Sequence, residues 1–468
     1  MINEFVSLVN NILWGDGQVL IIMLLACGIW FTVKLGGVQL RHFGHMFSLL
    51  KGSNTSTKDG ISSFQALCTS LSARVGTGNL AGVAVAISLG GAGAIFWMWM
   101  IALLGMATGF AESVLGQLYK VRDENGEFRG GPAYYIKQGL NKTWLAVAFS
   151  LCLFFGYGFV FSAVQANTIT DALNNAYSFP TEYVGLAIIA LAALIVVGGL
   201  KSIARFAEFV VPFMGIGYVL VALAITFINI SELPAMLLDI VKSAFGLQEA
   251  GAGALGAAIK NGIQRGLYSN EAGSGSVPHA AASAVPNPNH PVSQGYIQML
   301  GVFLDTLVLC TSTAFIILLA GGSSSDQMEG IRLTQDAMSS HLGEGGTDFV
   351  AAAISLFAFT SVVANYAYGE SNLHMFKLDN KIGRAVYTIG YLGMIYWGAQ
   401  AALPQVWAMA DMALGLMTVI NIIAIVWMTP TIVSISKDYF KKKDTGANME
   451  YKAGDCEIQG KSEEGIWD

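Results

Sequence analysis

Residues 72–82 read SARVGTGNLAG. They set a cation, two hydroxyls, an amide and three glycines in the middle of an apolar stretch. Gly76 to Ala81 fits G-x-G-x-x-A, the turn that holds a dinucleotide pyrophosphate. That chemistry needs a strand before the glycines, a helix after them and an acid about 20 residues on. Here an apolar, membrane-type helix precedes the glycines, and residues 95–105 are IFWMWMIALLG. The dinucleotide reading is therefore excluded. A second stretch of the same character, SNEAGSGS at 269–276, interrupts another apolar run.

Unwound backbone inside a bilayer exposes N–H and C=O groups that lipid cannot satisfy. Such breaks persist only where protein or a hydrated cavity takes up the bonds. Freed N–H groups, with the positive end of a half-helix beginning near Asn79, suit a carboxylate. Freed carbonyls suit a small cation or an ammonium, so a zwitterion plus a cation uses both kinds of end. Glycines that let two helices pack closely are the structural alternative; Thr77 and Asn79 add polarity that packing does not require. The candidate binding residues are Gly76, Thr77, Gly78 and Asn79 at the first break and Asn270, Gly273 and Ser274 at the second. Gln165 lies at a comparable depth, and either faces the cavity or ties two helices together as a buried amide.

Charges within apolar segments are functional suspects, and six occur: Arg74, Glu112, Lys260, Arg265, Glu271 and Asp305. Arg74 and Glu271 flank the two breaks, as a gate or as a static pair. Asp305 and Glu112 could instead carry protons, which would make H⁺ the coupling ion. A membrane enzyme would need an acid–base pair or a metal cluster, and no His, Asp, Glu or Cys spacing supplies one. The five cysteines share no C-x-x-C spacing, so neither a disulfide framework nor a zinc site is indicated.

The elements that carry these residues follow from composition. Of 468 residues, 54% are apolar and 12% charged, with a mean hydropathy of +0.56; soluble domains carry roughly twice that charge. Apolar runs of bilayer length recur along the chain. They place eleven transmembrane helices near 16–34, 62–88, 92–119, 143–170, 183–200, 204–229, 253–283, 293–321, 348–370, 384–402 and 405–434. Ser231–Gly246 and Asp326–Leu342 read as surface helices. The first run lacks a basic flank and a cleavage site, and reads as a retained helix rather than a signal peptide. With the N-terminus outside and the C-terminus cytoplasmic, twenty of the 25 Lys and Arg residues fall on inside loops or the tail. The sequons at Asn54 and Asn141 then face the cytoplasm and are incidental. Setting the first helix aside leaves five helices and five of opposite topology, about 62–229 and 253–434. Both repeats open with an interrupted helix, the best pointer in sequence to a secondary transporter's central site. Residues 1–440 form one transporter domain, and 441–468 a polar, mobile cytoplasmic tail.

Three segments carry a resemblance. GGAGAIFWMWMIALLG at 90–105 resembles the signature of the sodium:alanine symporter (alanine/glycine:cation symporter) family, and GGPAYYI at 130–136 and RGLYSNEAGSGSVPHAAA at 265–282 are similar to it as well. The likeness runs from about 10 to 440. It implies an all-α polytopic protein of the leucine-transporter type: an extra N-terminal helix, then a five-plus-five inverted repeat with its second and seventh helices broken. It implies sodium-coupled import of alanine or glycine across the cell (inner) membrane, with no nucleic-acid partner and no enzymatic step. FAFTS at 357–361 is similar to the stretch that ends in a Thr-Ser pair in that fold. Carried over, the sodium ligands are the Thr360 and Ser361 hydroxyls and the carbonyls of Ser72, Val75 and Phe357. Phe357 is bulkier than the pattern, although only its backbone oxygen is used. Hydroxyls in membrane helices ordinarily bond back to the preceding turn, and that is the alternative for this pair.

Overall fold

A computed structural model of the chain describes residues 2–15, 18–54, 60–123, 126–247, 252–321 and 330–467. Lys58, of the first inside loop, and the start of the second surface helix at Asp326–Met328 lie outside the described residues.

The described chain is helical apart from two short strand pairs. Apart from two short helices at Val38–Arg41 and Phe43–Ser48, its helices are α1 Ile2–Trp14, α2 Val19–Lys34, α3 Ser63–Arg74, α4 Gly78–Gly90, α5 Gly93–Leu118, α6 Pro132–Leu140, α7 Thr143–Tyr177, α8 Thr181–Val196 and α9 Gly199–Ile228. There follow α10 Leu233–Ala244, α11 Ala252–Asn270, α12 Val277–Ser283, α13 Pro291–Leu319, α14 Ile331–Leu342, α15 Glu344–Met375, α16 Lys381–Gln400, α17 Leu403–Trp427 and α18 Thr429–Thr445. Among the described residues six of these, α5, α7, α9, α13, α15 and α17, are each long and apolar enough to cross a bilayer, and α1 with α2 as one bent pair makes a seventh. The other expected spans fall short of that test for identifiable reasons. The segment at 62–90 is cut by its break, α11 is long enough at 19 residues but carries Lys260, Asn261, Gln264 and Arg265, α8 has only 16 residues, and α16 carries Lys381 and Arg384 in its first turn.

Three boundaries differ from the sequence reading. Helix α1 precedes the first apolar run; it is amphipathic and lies on α17, with Trp14 Nε1 donating to the Asp411 carbonyl at 3.1 Å and Asn10 Nδ2 to that of Ala408 at 2.8 Å. The last expected helix ends at Trp427, and α18 starts two residues later with Pro430 in its first turn. Nor does the tail extend as a free polar segment. Its aromatic side chains pull it back onto the body: Tyr451 and Trp467 are each 1% exposed. Trp467 Nε1 donates to the Leu118 carbonyl at 3.1 Å, Tyr451 N to that of Asn289 at 2.9 Å, and Gln459 N to Thr431 Oγ1 at 2.9 Å.

Helix α5 is the axis, buried on every side from Gly105 to Leu118. Small residues make this possible: a Cβ on Gly116 would meet the Pro278 carbonyl oxygen at 2.8 Å, so only glycine lets α12 cross there. Helix α9 is the opposite case, with Phe209 81% and Phe213 74% exposed, an apolar face suited to lipid. The start of α3 and the end of α12 are tied by a parallel strand pair, Ile61 against Ala284 and Ser62 against Val285. Ser62 also caps α3: its hydroxyl accepts from Gln65 N while its own N–H donates to the Gln65 side chain. The two interrupted helices therefore share an end before they reach the site.

Candidate functional site: two facing helix breaks

Helix α3 stops at Arg74 because Val75 turns extended (ψ 94°), and α4 restarts at Gly78 with a π-helical turn, Gly78–Gly82. The gap is sealed by side chains. Gly76 N donates to Asn79 Oδ1 at 2.9 Å; Thr77 N and Thr77 Oγ1 both donate to Gln165 Oε1, at 2.9 and 2.8 Å. Asn79 then reaches the second broken helix and α13, its Nδ2 meeting Ser269 Oγ at 3.1 Å and Asp305 Oδ1 at 2.7 Å. Asp305 also accepts from Ser269 Oγ at 2.6 Å and Thr306 Oγ1 at 2.8 Å.

Helix α11 stops at Asn270 because Glu271 enters the left-handed region at φ 58°, with Gly273 at φ 95° and Gly275 at φ 85° following. A non-glycine residue there is strained, and such residues gather at functional positions. The freed amides are collected by one buried carboxylate: Gly273 N donates to Glu112 Oε1 at 3.0 Å and Gly275 N to Glu112 Oε2 at 3.1 Å. Asn421 Nδ2 bridges Glu112 Oε2 at 2.7 Å and the Gly273 carbonyl at 2.9 Å. Glu271 itself accepts from Ser276 Oγ at 2.7 Å.

Where the two breaks approach each other lies a small buried cavity of about 10 Å³, room for about one water. Ala73, Arg74, Gln165 and Glu271 line it. Tyr157, Phe161, Tyr268, Asn365 and Leu414 complete it and were not singled out in sequence. Tyr157 lies in a second π-helical turn, Gly156–Val160, and Asp305 in a third, Phe303–Cys310; such turns mark functional positions in helices. Towards the end bearing Gly90 and Ala252, Tyr268 rests against Trp407, ring centroids 4.7 Å apart, with Arg265 over Trp407 at 4.4 Å. Arg265 Nη2 pairs there with Asp411 Oδ2 at 2.6 Å.

Gly76, Thr77, Gly78, Asn79 and Gln165 thus come together as one unit. At the second break Asn270 Oδ1 accepts from Ala272 N at 3.0 Å, while its Nδ2 has no partner among the described residues. Gly273 faces Glu112 and Asn421, and Ser274 Oγ turns inward to the Glu271 carbonyl at 2.7 Å. Of the expected substrate residues only Gln165 lines the cavity; Gly76, Thr77, Gly78, Asn79, Asn270, Gly273 and Ser274 do not.

Of the expected cation ligands, the Thr360 and Ser361 hydroxyls meet the carbonyls of Phe357 and Val75. Thr360 Oγ1 donates to the Phe357 carbonyl at 2.8 Å, the back-bond to the preceding turn. Ser361 Oγ reaches that carbonyl at 3.2 Å and, across to the first break, the Val75 carbonyl at 3.3 Å. Ser72 joins through its hydroxyl, which donates to the Thr360 carbonyl at 2.9 Å. All five residues are buried. The donor set is neutral oxygen, the chemistry a hard monovalent cation accepts. Among the described residues no group of three His, Cys, Asp or Glu side chains could hold a metal ion.

Apolar spans around a sealed polar centre built on two broken helices define a multi-pass membrane carrier. Comparison with known proteins gives the same class. The model of the sodium:alanine symporter family matches residues 1–453, and the chain belongs to that family. It is similar to the probable sodium/glutamine symporter GlnT of Bacillus subtilis, 46% identical over 447 residues that cover 95% of this chain and 92% of the relative. The amino-acid carrier protein AlsT of the same organism is 43% identical over 451 residues, 96% and 95% of the two chains. The sodium/alanine symporter AgcS of Methanococcus maripaludis is 37% identical over 449 residues, 93% and 97% of the two. The protein is accordingly a transporter and not an enzyme.

Proposed function

We propose that the chain imports a small neutral amino acid, alanine or glycine, together with sodium across the cell (inner) membrane by alternating access. The observation that carries the reading is the meeting of two helix breaks around one small buried cavity, joined by Asn79 to Ser269 and Asp305. In this reading eleven spans are formed by α2, the α3–α4 pair, α5, α7, α8, α9, the α11–α12 pair, α13, α15, α16 and α17. The last ten make the two repeats at about 62–229 and 253–434, with the N-terminus outside and residues 441–468 in the cytoplasm. Sodium takes the Thr360 and Ser361 hydroxyls with carbonyls of Ser72, Val75 and Phe357, and so clasps α3 to α15. The amino acid enters between the breaks, with Gly76, Thr77, Gly78, Asn79 and Gln165 as one wall and Asn270, Gly273 and Ser274 shaping the other. The cavity must widen to admit it, and the Arg265–Asp411 pair over Trp407 and Tyr268 must part on the outer side.

The membrane potential contributes about 2.3 kcal/mol per charge per 100 mV. Binding moves the conformational equilibrium only if the two forms differ in affinity, which a sodium site shared between two helices provides. Counterflow of labelled alanine and glycine, and of labelled glutamine because one relative is named for it, in proteoliposomes with and without sodium tests the reading. Sodium-stimulated exchange of alanine or glycine supports it; exchange of glutamine alone, or of none of the three, refutes it. The three buried carboxylates Glu112, Glu271 and Asp305 favour proton coupling as the second reading. Exchange unchanged by sodium removal but driven by a pH gradient would select it.

A further inference from the structure

The cavity wall carries chemistry that its position alone does not explain. Arg74, the last residue of α3, is 2% exposed. Its Nη1 has one long contact, to the Gln298 carbonyl at 3.5 Å, while Nε and Nη2 have no hydrogen-bond partner among the described residues. Those two N–H groups lie on the same edge of a rigid planar cation and point the same way, the fork that takes both oxygens of a carboxylate. A buried guanidinium with that edge unmade is costly unless something completes it.

The neighbouring carboxylates are engaged elsewhere. Glu112 holds the amides of Gly273 and Gly275, Asp305 holds Asn79, Ser269 and Thr306, and Glu271 holds Ser276. None closes on the Arg74 fork. The amides of Gly76 and Thr77 already give their hydrogens to Asn79 and Gln165; the Tyr268 hydroxyl and Asn270 Nδ2 are also without partners among the described residues, but neither carries charge. In the lining of the same cavity Asn365 Oδ1 is an acceptor, 1% exposed, without a partner among the described residues. The lining thus brings together a cationic two-pronged donor, an unpaired acceptor and an anion, the groups that complement an α-amino-acid zwitterion.

We propose that Arg74 receives the substrate's α-carboxylate through Nε and Nη2, and that Asn365 Oδ1 and Glu271 receive the ammonium. The amides of the first break then serve as scaffold, holding Arg74 at the end of α3. This rests on the reading of the chain as an amino-acid symporter with its site between the breaks.

The test measures sodium-dependent binding of labelled L-alanine and L-glutamine, with L-alaninamide and L-alaninol as competitors that keep the ammonium and lack the carboxylate. In the unmutated protein the amide and the alcohol compete at least about 100-fold more weakly than alanine. Arg74→Lys keeps the charge and removes the fork, and lowers affinity about 10- to 100-fold. Arg74→Gln brings alanine and alaninamide to within a few-fold of each other. A purely structural role would weaken both ligands together and leave their ratio unchanged, and that result overturns the proposal. Competition by alaninamide as effective as by alanine in the unmutated protein overturns it without any variant. Failure of the unmutated protein to bind either amino acid refutes the symporter reading itself, and this proposal with it.

Discussion

Glu112→Gln isolates the group that holds the second break open. Glu112 Oε1 accepts from Gly273 N, while Oε2 accepts from both Gly275 N and Asn421 Nδ2. Glutamine offers one oxygen and one NH₂. With the oxygen at the Oε2 position, the NH₂ faces Gly273 N and leaves that amide unmade. With the oxygen at the Oε1 position, two donors are left facing an NH₂. The better orientation therefore loses one buried hydrogen bond to a charged acceptor, about 1–3 kcal/mol. At 1.4 kcal/mol per tenfold, the segment opens roughly 5 to 150 times more often. Hydrogen–deuterium exchange of the purified protein reads this locally, because amide exchange follows the opening equilibrium. Peptides covering Glu271 to Ser276 should exchange faster by that factor, while those in the middle of α15 stay unchanged. Equal exchange across 271–276 in variant and parent would show that Glu112 does not hold the break, and the reasoning fails.

Three further outcomes follow from the same geometry. Thr360→Ala removes one oxygen of the converging set, and the sodium concentration for half-maximal uptake should rise roughly 5- to 150-fold with yield little changed; sodium activation curves that superimpose contradict the ligand role. Gly78→Val places its Cβ 3.1 Å from Ser269 Cα and 3.3 Å from Tyr268 Cδ1, where backbone faces backbone. Alanine affinity should fall about tenfold or more, and an unaltered affinity removes the site from the first break. His290 caps the start of α13, its Nδ1 accepting from Val292 N at 3.1 Å, and burial pushes its ring down to about 4. A folded value below the unfolded one, about 6.5, means the unfolded chain binds the extra proton. The stabilisation is complete above that pH and is lost as pH falls towards 4. Melting curves from pH 7.5 to 4.5 should show a smaller loss for His290→Asn, which retains the cap without the titration.

Both breaks were legible because glycine and polar residues stand out within apolar runs, whereas Thr360 and Ser361 were reached only through the likeness of FAFTS to the family pattern, since hydroxyls on a membrane helix ordinarily bond back to the preceding turn. What the residues around them do was less visible. Glu112 reads in sequence as a lone intramembrane acid; only the fold shows it facing amides that belong to residues 161 and 163 positions away. Tyr157, Tyr268 and Asn365 sit in aromatic and small-residue surroundings that look the same whether they pack or line a cavity. Three π-helical turns escaped notice because one extra residue in a turn leaves no clear mark on apolar periodicity. The tail misled through its charge, since Tyr451 and Trp467 are few enough to be outweighed in composition yet large enough to anchor it.

That anchoring has a consequence for handling the molecule. Trp467 sits against the last turn of α5, and Tyr451 is hooked to the loop ahead of α13. A fluorescent protein or affinity handle joined at this terminus would therefore hang from a seated peg rather than from a loose string. Strain on the handle would pass straight to the helix whose Glu112 keeps the central loop in shape, so a label at the opposite terminus is the gentler choice for following the transport cycle.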